Sequence, residues 1–239
     1  MATLDEIRAA VEKKIPGAFT PVRKSPFELL PTGIAALDGQ IGGLPLGGIS
    51  QFCAPADMTT GRTTIMVSTM AQLTRKRRYC ALLDAHDAFD PVCAQKNGVD
   101  LSRVLWFRGR RTPQHTELEQ AFKAADILVN NGGFELIFVD ISDVPEEEVR
   151  RVPMTTWFRF ARVVEKSEMG LVFLMPFAAA QSCAALTVQM KQAKILWRGP
   201  RYPTHARLFA GLEMDFEVER GKHPTAHERG STRMENQNL

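Results

Sequence analysis

The segment from Ala56 to Thr64 constrains the fold of this chain most, because it has the spacing of a phosphate-binding loop with two defining positions changed. The pattern G-x-x-x-x-G-K-[ST] wraps backbone N–H groups around a phosphate at a helix N-terminus, and its lysine contacts the outer phosphates. Here Ala56 replaces the first glycine and Arg62 replaces the lysine, whereas Gly61 and Thr63 are kept. We therefore take Ala56, Gly61, Arg62, Thr63 and Thr64 as candidate nucleotide-binding residues.

The sequence around this loop predicts a strand before it and a helix after it. Residues 49–53 have strand character, and apolar residues recur near helical spacing from 63 to 73. Residues 136–140 form a continuous apolar run that ends in Asp140, as buried parallel strands do. Because an acid in that place can hold Mg²⁺ beside a nucleotide, Asp140 joins the nucleotide-binding candidates, and Thr63 and Asp140 are the candidate metal ligands if nucleotide binds.

Strand and helix patterns alternate through the rest of the chain. The predicted strands are 79–84, 104–107 and 171–174, and the predicted helices are 91–97, 116–131 and 153–167. Such alternation indicates an α/β protein whose mostly parallel twisted sheet carries helices on both faces. Residues 193–197 and 207–219 are predicted to form antiparallel edge strands near the C-terminus.

Several ordered motifs resemble the core of RecA-type recombinases. They are Leu30 to Asp38 with Gly42 to Gly47, and Leu83 to Pro91 with Ala94 to Asp100. The resemblance implies a RecA-like P-loop core over residues 30–221. Residues 3–15 are predicted to form an amphipathic helix and residues 16–27 a proline-rich extended linker. The resemblance implies that this arm, residues 1–29, docks a partner or folds back on its own core. Residues 222–239 are polar and are predicted to be a disordered tail.

The resemblance also implies catalytic parts that this chain lacks. RecA proteins have a water-activating glutamate where His86 stands, a serine or threonine where Ile141 stands, and an Asn-Gln sensor where Met175 and Pro176 stand. With Arg62 in place of lysine, these changes predict a protein that does not hydrolyse ATP, and no catalytic residue is assigned. ATP with Mg²⁺ stays open as a weak ligand. On this interpretation, Arg62→Ala should leave the fold intact.

The two loops that contact DNA in RecA proteins would fall at residues 141–151 and 177–185. The first is rich in acidic residues and the second has no basic residue, so filament formation on DNA through these loops is disfavoured. Basic residues cluster instead at 75–78 and 108–111. We interpret both clusters as solvated charge, with a weak DNA contact as the alternative.

Composition adds few constraints. The 239 residues carry a formal net charge of +3 and are 44% hydrophobic, which is ordinary for a globular domain. The four cysteines lack C-x-x-C spacing, and buried thiols in a reducing cytosol explain them best. We therefore expect a cytoplasmic protein without a membrane span.

Two functions remain open. The first is a non-hydrolysing accessory or scaffold protein of DNA repair, similar to the ImuA-type RecA-like proteins of damage-induced (SOS) mutagenesis and translesion synthesis. That resemblance implies contacts with RecA and with an inactive Y-family polymerase homologue. The second is a DNA-stimulated ATPase or recombinase paralogue in which Arg62 and His86 substitute for the usual pair. Another carboxylate, such as Asp84, Asp87 or Asp90, facing the γ-phosphate site would favour this alternative. Trp197 is either an exposed anchor for a protein partner or an ordinary strand residue.

Overall fold

A computed structural model describes residues 27–199, 208–221 and 229–235, together with residues 6, 10, 11, 13 and 14. Those five N-terminal residues are helical, in agreement with the helix predicted near the start of the chain. The rest of the predicted N-terminal arm, including most of its linker, and the remaining part of the tail lie outside the described residues.

The elements alternate as the sequence predicts. The helices are α1 (Ala35–Ile41), α2 (Arg62–Arg75), α3 (Pro91–Lys96), α4 (Glu117–Asn131), α5 (Glu146–Arg150) and α6 (Met154–Glu165). The strands are β1 (Leu29–Leu30), β2 (Leu44–Pro45), β3 (Ile49–Cys53), β4 (Cys80–Asp84), β5 (Val104–Arg108), β6 (Leu136–Asp140), β7 (Gly170–Met175), β8 (Ala184–Met190), β9 (Lys194–Arg198), β10 (Leu208–Gly221) and β11 (Arg229–Glu235). None of the described helices is both long and apolar enough to span a membrane.

In the described part of the chain nine strands form the main sheet, in the order β11-β10-β8-β3-β7-β6-β4-β5, with β9 also paired to β10. The six strands from β8 to β5 are parallel to their neighbours in that order. By contrast, β10 runs antiparallel to β8, β9 and β11. The predicted α/β class, with a mostly parallel sheet and antiparallel strands near the C-terminus, is confirmed.

Helices cover both faces of the sheet. One apolar cluster includes Ile65 and Met66 of α2, and the other includes Phe122 of α4 and Trp157 and Phe160 of α6. In the second cluster Phe122 and Trp157 meet edge to face with ring centroids 5.5 Å apart. Because both faces are covered, every residue of β3, β4 and β7 is buried, and β4 and β7 are apolar along nearly their whole length.

The C-terminal tail differs from the sequence prediction. Residues 229–235 form β11, which pairs with β10 from Gly211↔Glu235 to Glu217↔Arg229. Without β11, residues 211–217 of the 14-residue strand β10 would leave a row of backbone N–H and C=O groups exposed along one edge, and pairing with β11 satisfies these groups. No apolar alternation marks this strand, so the prediction of disorder was wrong for residues 229–235.

The strand register defines the two ends of the sheet. Asp84 lies opposite Asp140, and Asp140 lies opposite Leu174, so β4, β6 and β7 end side by side. The loop after β3 emerges at the same end, which we call the carboxyl edge. We call the opposite end, where β4, β5 and β6 begin, the amino edge.

Candidate nucleotide site

The predicted phosphate-binding loop has the expected position between a buried strand and a helix. It leaves β3 at Cys53 and enters α2 at Arg62, with Gly61 as the N-cap in a left-handed conformation, φ 84°. Ala56 is exposed in the loop, and Thr63 and Thr64 occupy the first turn of α2. The backbone around these candidates thus has the strand–loop–helix order that the sequence predicts.

The Arg62 side chain turns into the protein. Its Nη1 donates to the carbonyl oxygens of Ala54, at 2.7 Å, and Met175, at 2.8 Å, and its Nη2 donates to the Pro55 carbonyl at 3.5 Å. The residue is only 6% exposed. Its guanidinium thus joins the carboxyl ends of β3 and β7, and its hydrogen bonds are used within the protein.

The charge of Arg62 is held in a partly desolvated place. Burial lowers the pKa of Arg62 from its ordinary value, while the nearby charges of Asp140 and Asp143 act in the opposite direction. Arginine stays protonated even so, because its pKa lies far above neutrality. The side chain therefore acts as a fixed internal cation.

The loop is also held by the C-terminal third of the chain. The Thr59 carbonyl accepts a hydrogen bond of 2.7 Å from the Ala193 N–H, in the turn between β8 and β9. Met214 of β10 is fully buried against Gly61, so closely that a Cβ at position 61 would overlap its sulfur. A methionine side chain therefore lies beside the glycine that opens α2.

Asp140 ends β6 as predicted, and its carboxylate has local partners. Its Oδ1 accepts hydrogen bonds from the Ser142 N–H, at 3.1 Å, and the Ser142 hydroxyl, at 2.6 Å. Loss of hydration raises the pKa of Asp140, with Asp84 acting in the same direction and Ser142 and Arg62 opposing it. Asp140 and Arg62 are thus close enough for their charges to interact. Ile141, at the expected hydroxyl position, is buried, and Ser142 supplies the hydroxyl instead.

Asp84, the first of the three carboxylates that could replace the missing catalytic glutamate, is buried and serves local structure. It accepts from the backbone N–H groups of Ala88, at 3.1 Å, and Phe89, at 2.9 Å. A third bond of 3.3 Å comes from the Trp106 indole. The Asp84 carboxylate therefore stabilises the turn that follows β4.

The other two carboxylates are also engaged. Asp87 forms an ion pair with Arg108 at 3.5 Å. Asp90 caps α3 by accepting from the Val92 and Cys93 N–H groups at 2.9 and 3.1 Å. His86, which replaces the family's glutamate, is exposed. The ATPase alternative needs a carboxylate at the γ-phosphate position, and each of these three candidates already has local partners.

The segments that correspond to the DNA-binding loops pack on each other. The first contains α5, in which Arg150 pairs with Glu146 at 3.0 Å and lies 4.3 Å from the Phe177 ring centroid of the second. The second joins β7 to β8, with Ala179 and Ala180 buried and the Ala180 N–H donating to Gln51. Met175 and Pro176, in place of the sensor pair, are buried too.

These contacts fit a phosphate and its metal poorly. The cation of the loop points at carbonyl groups, and Met214 packs on the glycine at the start of the helix. The assignment of Thr63 and Asp140 as Mg²⁺ ligands stays a prediction. Within the described part of the chain, no three His, Cys, Asp or Glu side chains form a metal-binding group. Sequence reasoning missed Met214 and Ala193, since neither belongs to a recognisable motif.

The cysteines follow the prediction of buried thiols in part. Cys53, Cys80 and Cys183 are buried, and Cys93 is exposed. Burial raises the pKa of the Cys53 and Cys80 thiols to about 12. Since the thiolate is the reactive form, both behave as apolar core residues at neutral pH.

Comparison with known proteins agrees with the RecA-like fold. A family model described as the RecA N-terminal domain matches residues 4–154. Protein RecA of Haemophilus ducreyi is 39% identical over 116 residues, which cover 48% of this chain and 29% of that protein. Protein RecA of Leifsonia xyli is 37% identical over 130 residues, 53% of this chain and 34% of that protein. The chain thus matches about a third of the length of these relatives, and its RecA-like fold and its match over residues 4–154 show that it belongs to the RecA N-terminal domain family.

Proposed function

We propose that this protein is a RecA-like accessory protein of DNA repair that does not hydrolyse ATP and acts through protein contacts. The observation that carries the proposal is the Arg62 guanidinium, which donates to three backbone carbonyls where the family directs a cation at phosphate. The local hydrogen bonds of Asp84 and Asp90 and the ion pair of Asp87 support the proposal further. The resemblance to ImuA-type proteins suggests a role in translesion mutagenesis beside RecA and an inactive Y-family polymerase homologue.

ATP hydrolysis is tested by titrating the protein with ATP and Mg²⁺, with and without single-stranded DNA, while phosphate release and melting temperature are measured. We expect release at background and no upward shift of the melting temperature, because the Arg62 guanidinium is directed at backbone carbonyls and Met214 packs on Gly61. The matched variant is Asp140→Asn, whose Oδ1 can still accept the two Ser142 bonds. Release that disappears in Asp140→Asn would establish the ATPase alternative.

A surface suited to a protein partner lies on the β9–β10 hairpin. In the described part of the chain ten large apolar side chains are strongly exposed, and four of them lie on this hairpin: Ile195, Trp197, Leu208 and Phe209. Trp197 and Phe209 face each other across the two strands, with ring centroids 6.4 Å apart. Exposed aromatic residues grouped in this way are typical of contact sites, because truncating them removes large binding contributions.

We expect Trp197→Ser with Phe209→Ser to weaken capture of RecA at least tenfold, since each buried aromatic anchor contributes about 1 kcal/mol or more at an interface. Capture of purified RecA by the immobilised protein measures this. The control is Ile127→Ser with Phe158→Ser, which removes two apolar side chains from α4 and α6 that are more exposed than Trp197 and Phe209. Equal capture by both double variants would place the RecA contact away from the hairpin.

A further inference from the structure

A dense group of cations lies at the amino edge, at the end of the sheet opposite the loop described above. The amino-edge basic cluster consists of Arg75, Lys76, Arg77, Arg78, Lys96 and Arg103. Four of its members follow one another at the end of α2, and Arg103 precedes β5. The strands between the two edges are five residues long, so the cluster lies roughly 13 Å or more from the carboxyl edge.

Direct contacts hold these residues in one surface. Arg103 Nη1 donates to the Arg77 carbonyl at 3.1 Å, and the Arg103 guanidinium lies 5.3 Å from the Tyr79 ring centroid. Arg75 lies against Gly98, since a Cβ at Gly98 would be 3.7 Å from its Nη2. Lys96, two residues earlier at the end of α3, therefore belongs to the same edge.

Few carboxylates oppose this charge. Glu135 pairs with Arg78 at 3.2 Å, and Asp100 pairs with Arg103 at 3.3 Å. Within the described residues no carboxylate forms an ion pair with the remaining four members, Arg75, Lys76, Arg77 and Lys96, and all four are exposed. Adjacent like charges repel one another, so a polyanion that bridges them would be stabilised here.

Tyr79 adds a second feature to the same surface. Its side chain is 51% exposed, although it immediately precedes the buried strand β4. Arg103 lies over the ring, and the exposure leaves ring surface open to a ligand. Cations beside an exposed aromatic ring are suited to bind single-stranded nucleic acid, because the cations can pair with phosphates and a base can stack on the ring.

We propose that the amino-edge basic cluster binds single-stranded nucleic acid, with Lys76, Arg77 and their neighbours contacting phosphates and Tyr79 stacking on a base. This surface is separate from the segments that correspond to the family's DNA-binding loops, which lie at the carboxyl edge. It requires no nucleotide and does not depend on the function proposed above. A duplex offers phosphates without free bases, so Tyr79 distinguishes the two kinds of nucleic acid.

The phosphate contacts are tested by fluorescence anisotropy with a labelled 20-nucleotide oligo-dT, the full-length protein and NaCl from 50 to 200 mM. In the variant Lys76→Gln/Arg77→Asn, asparagine suits the left-handed backbone of position 77, φ 59°. We expect about tenfold weaker binding at the lowest salt. The slope of the logarithm of the binding constant against the logarithm of the NaCl concentration should become shallower by about 1.4, because two phosphate contacts are lost. The control Arg110→Gln/Arg198→Gln removes the same charge from two exposed residues elsewhere and should change affinity less than about twofold.

The stacking contact is tested with Tyr79→Ala, and Tyr79→Phe serves as the conservative variant. We expect Tyr79→Ala to weaken oligo-dT binding about tenfold without changing the salt dependence, whereas Tyr79→Phe binds as the wild type does. Binding of a 20-base-pair duplex should be unaffected by either change. The proposal is overturned if the wild type does not bind oligo-dT, if the control double variant loses as much affinity as Lys76→Gln/Arg77→Asn, or if Tyr79→Ala leaves oligo-dT binding unchanged.

Discussion

Replacing Arg62 by alanine is expected to lower the free energy of unfolding by about 3 kcal/mol, since hydrogen bonds from a charged donor contribute roughly 1.5–3 kcal/mol each and part of that is offset by removing a buried charge. The substitution takes away all three bonds to Ala54, Pro55 and Met175 and leaves a space between β3 and β7. This expectation replaces the one from sequence, in which Arg62→Ala left the fold intact.

Urea denaturation followed by circular dichroism measures the Arg62 effect. The control is Arg110→Ala, an exposed arginine whose loss should change stability by no more than about 0.5 kcal/mol. Arg62→Lys should fall between the two, because one ammonium cannot span three carbonyls as the planar guanidinium does. An Arg62→Ala protein as stable as the Arg110→Ala protein would show that the guanidinium does not join the strands.

Replacing Gly61 by alanine is expected to destabilise the protein by about 3 kcal/mol, the sum of a left-handed backbone penalty and overpacking. The backbone at Gly61 has φ 84°, and the new Cβ would overlap the buried Met214 sulfur. The matched control is Gly39→Ala in α1, where a Cβ meets open space and helix propensity should add about 0.5–1 kcal/mol of stability.

A double-mutant cycle separates the two causes at Gly61. Met214→Ala removes the side chain that the new Cβ would meet, so the cost of Gly61→Ala should be about 1–2 kcal/mol smaller in that background. The backbone penalty would remain. Chemical denaturation of the four proteins gives the coupling energy, and strict additivity would mean that Met214 does not press on this glycine.

The fold was predictable because its signals are local and repeated. The buried parallel strands are apolar runs, as at residues 136–140 and 171–174, and the helix at Glu117–Asn131 begins with a complete capping box from Thr116 to Glu119. Strand β11 was not predictable, since it is held by backbone pairing with β10 and carries no apolar alternation. Its place depends on a partner strand that local patterns do not identify.

The position of the candidate site along the chain was predictable, but the orientation of its side chains was not. Spacing located Gly61, Arg62 and Asp140 on the correct loop and strand, but it could not show where the Arg62 side chain would point. That direction depends on the Met175 carbonyl, 113 residues further along the chain, and the tight contact at Gly61 depends on Met214. Neither residue forms a motif with the loop, so only the folded arrangement shows the connection.

The position of β3 between β7 and β8 has a consequence for how the molecule unfolds. The segment that matches the RecA N-terminal domain stops at residue 154, whereas both sheet neighbours of β3 come after it. A fragment that ended there would leave β3 and its following loop without any paired strand. The part of the chain that matches the RecA N-terminal domain and the part that follows it are therefore joined in one sheet, in which changes to the C-terminal strands reach the loop after β3 directly.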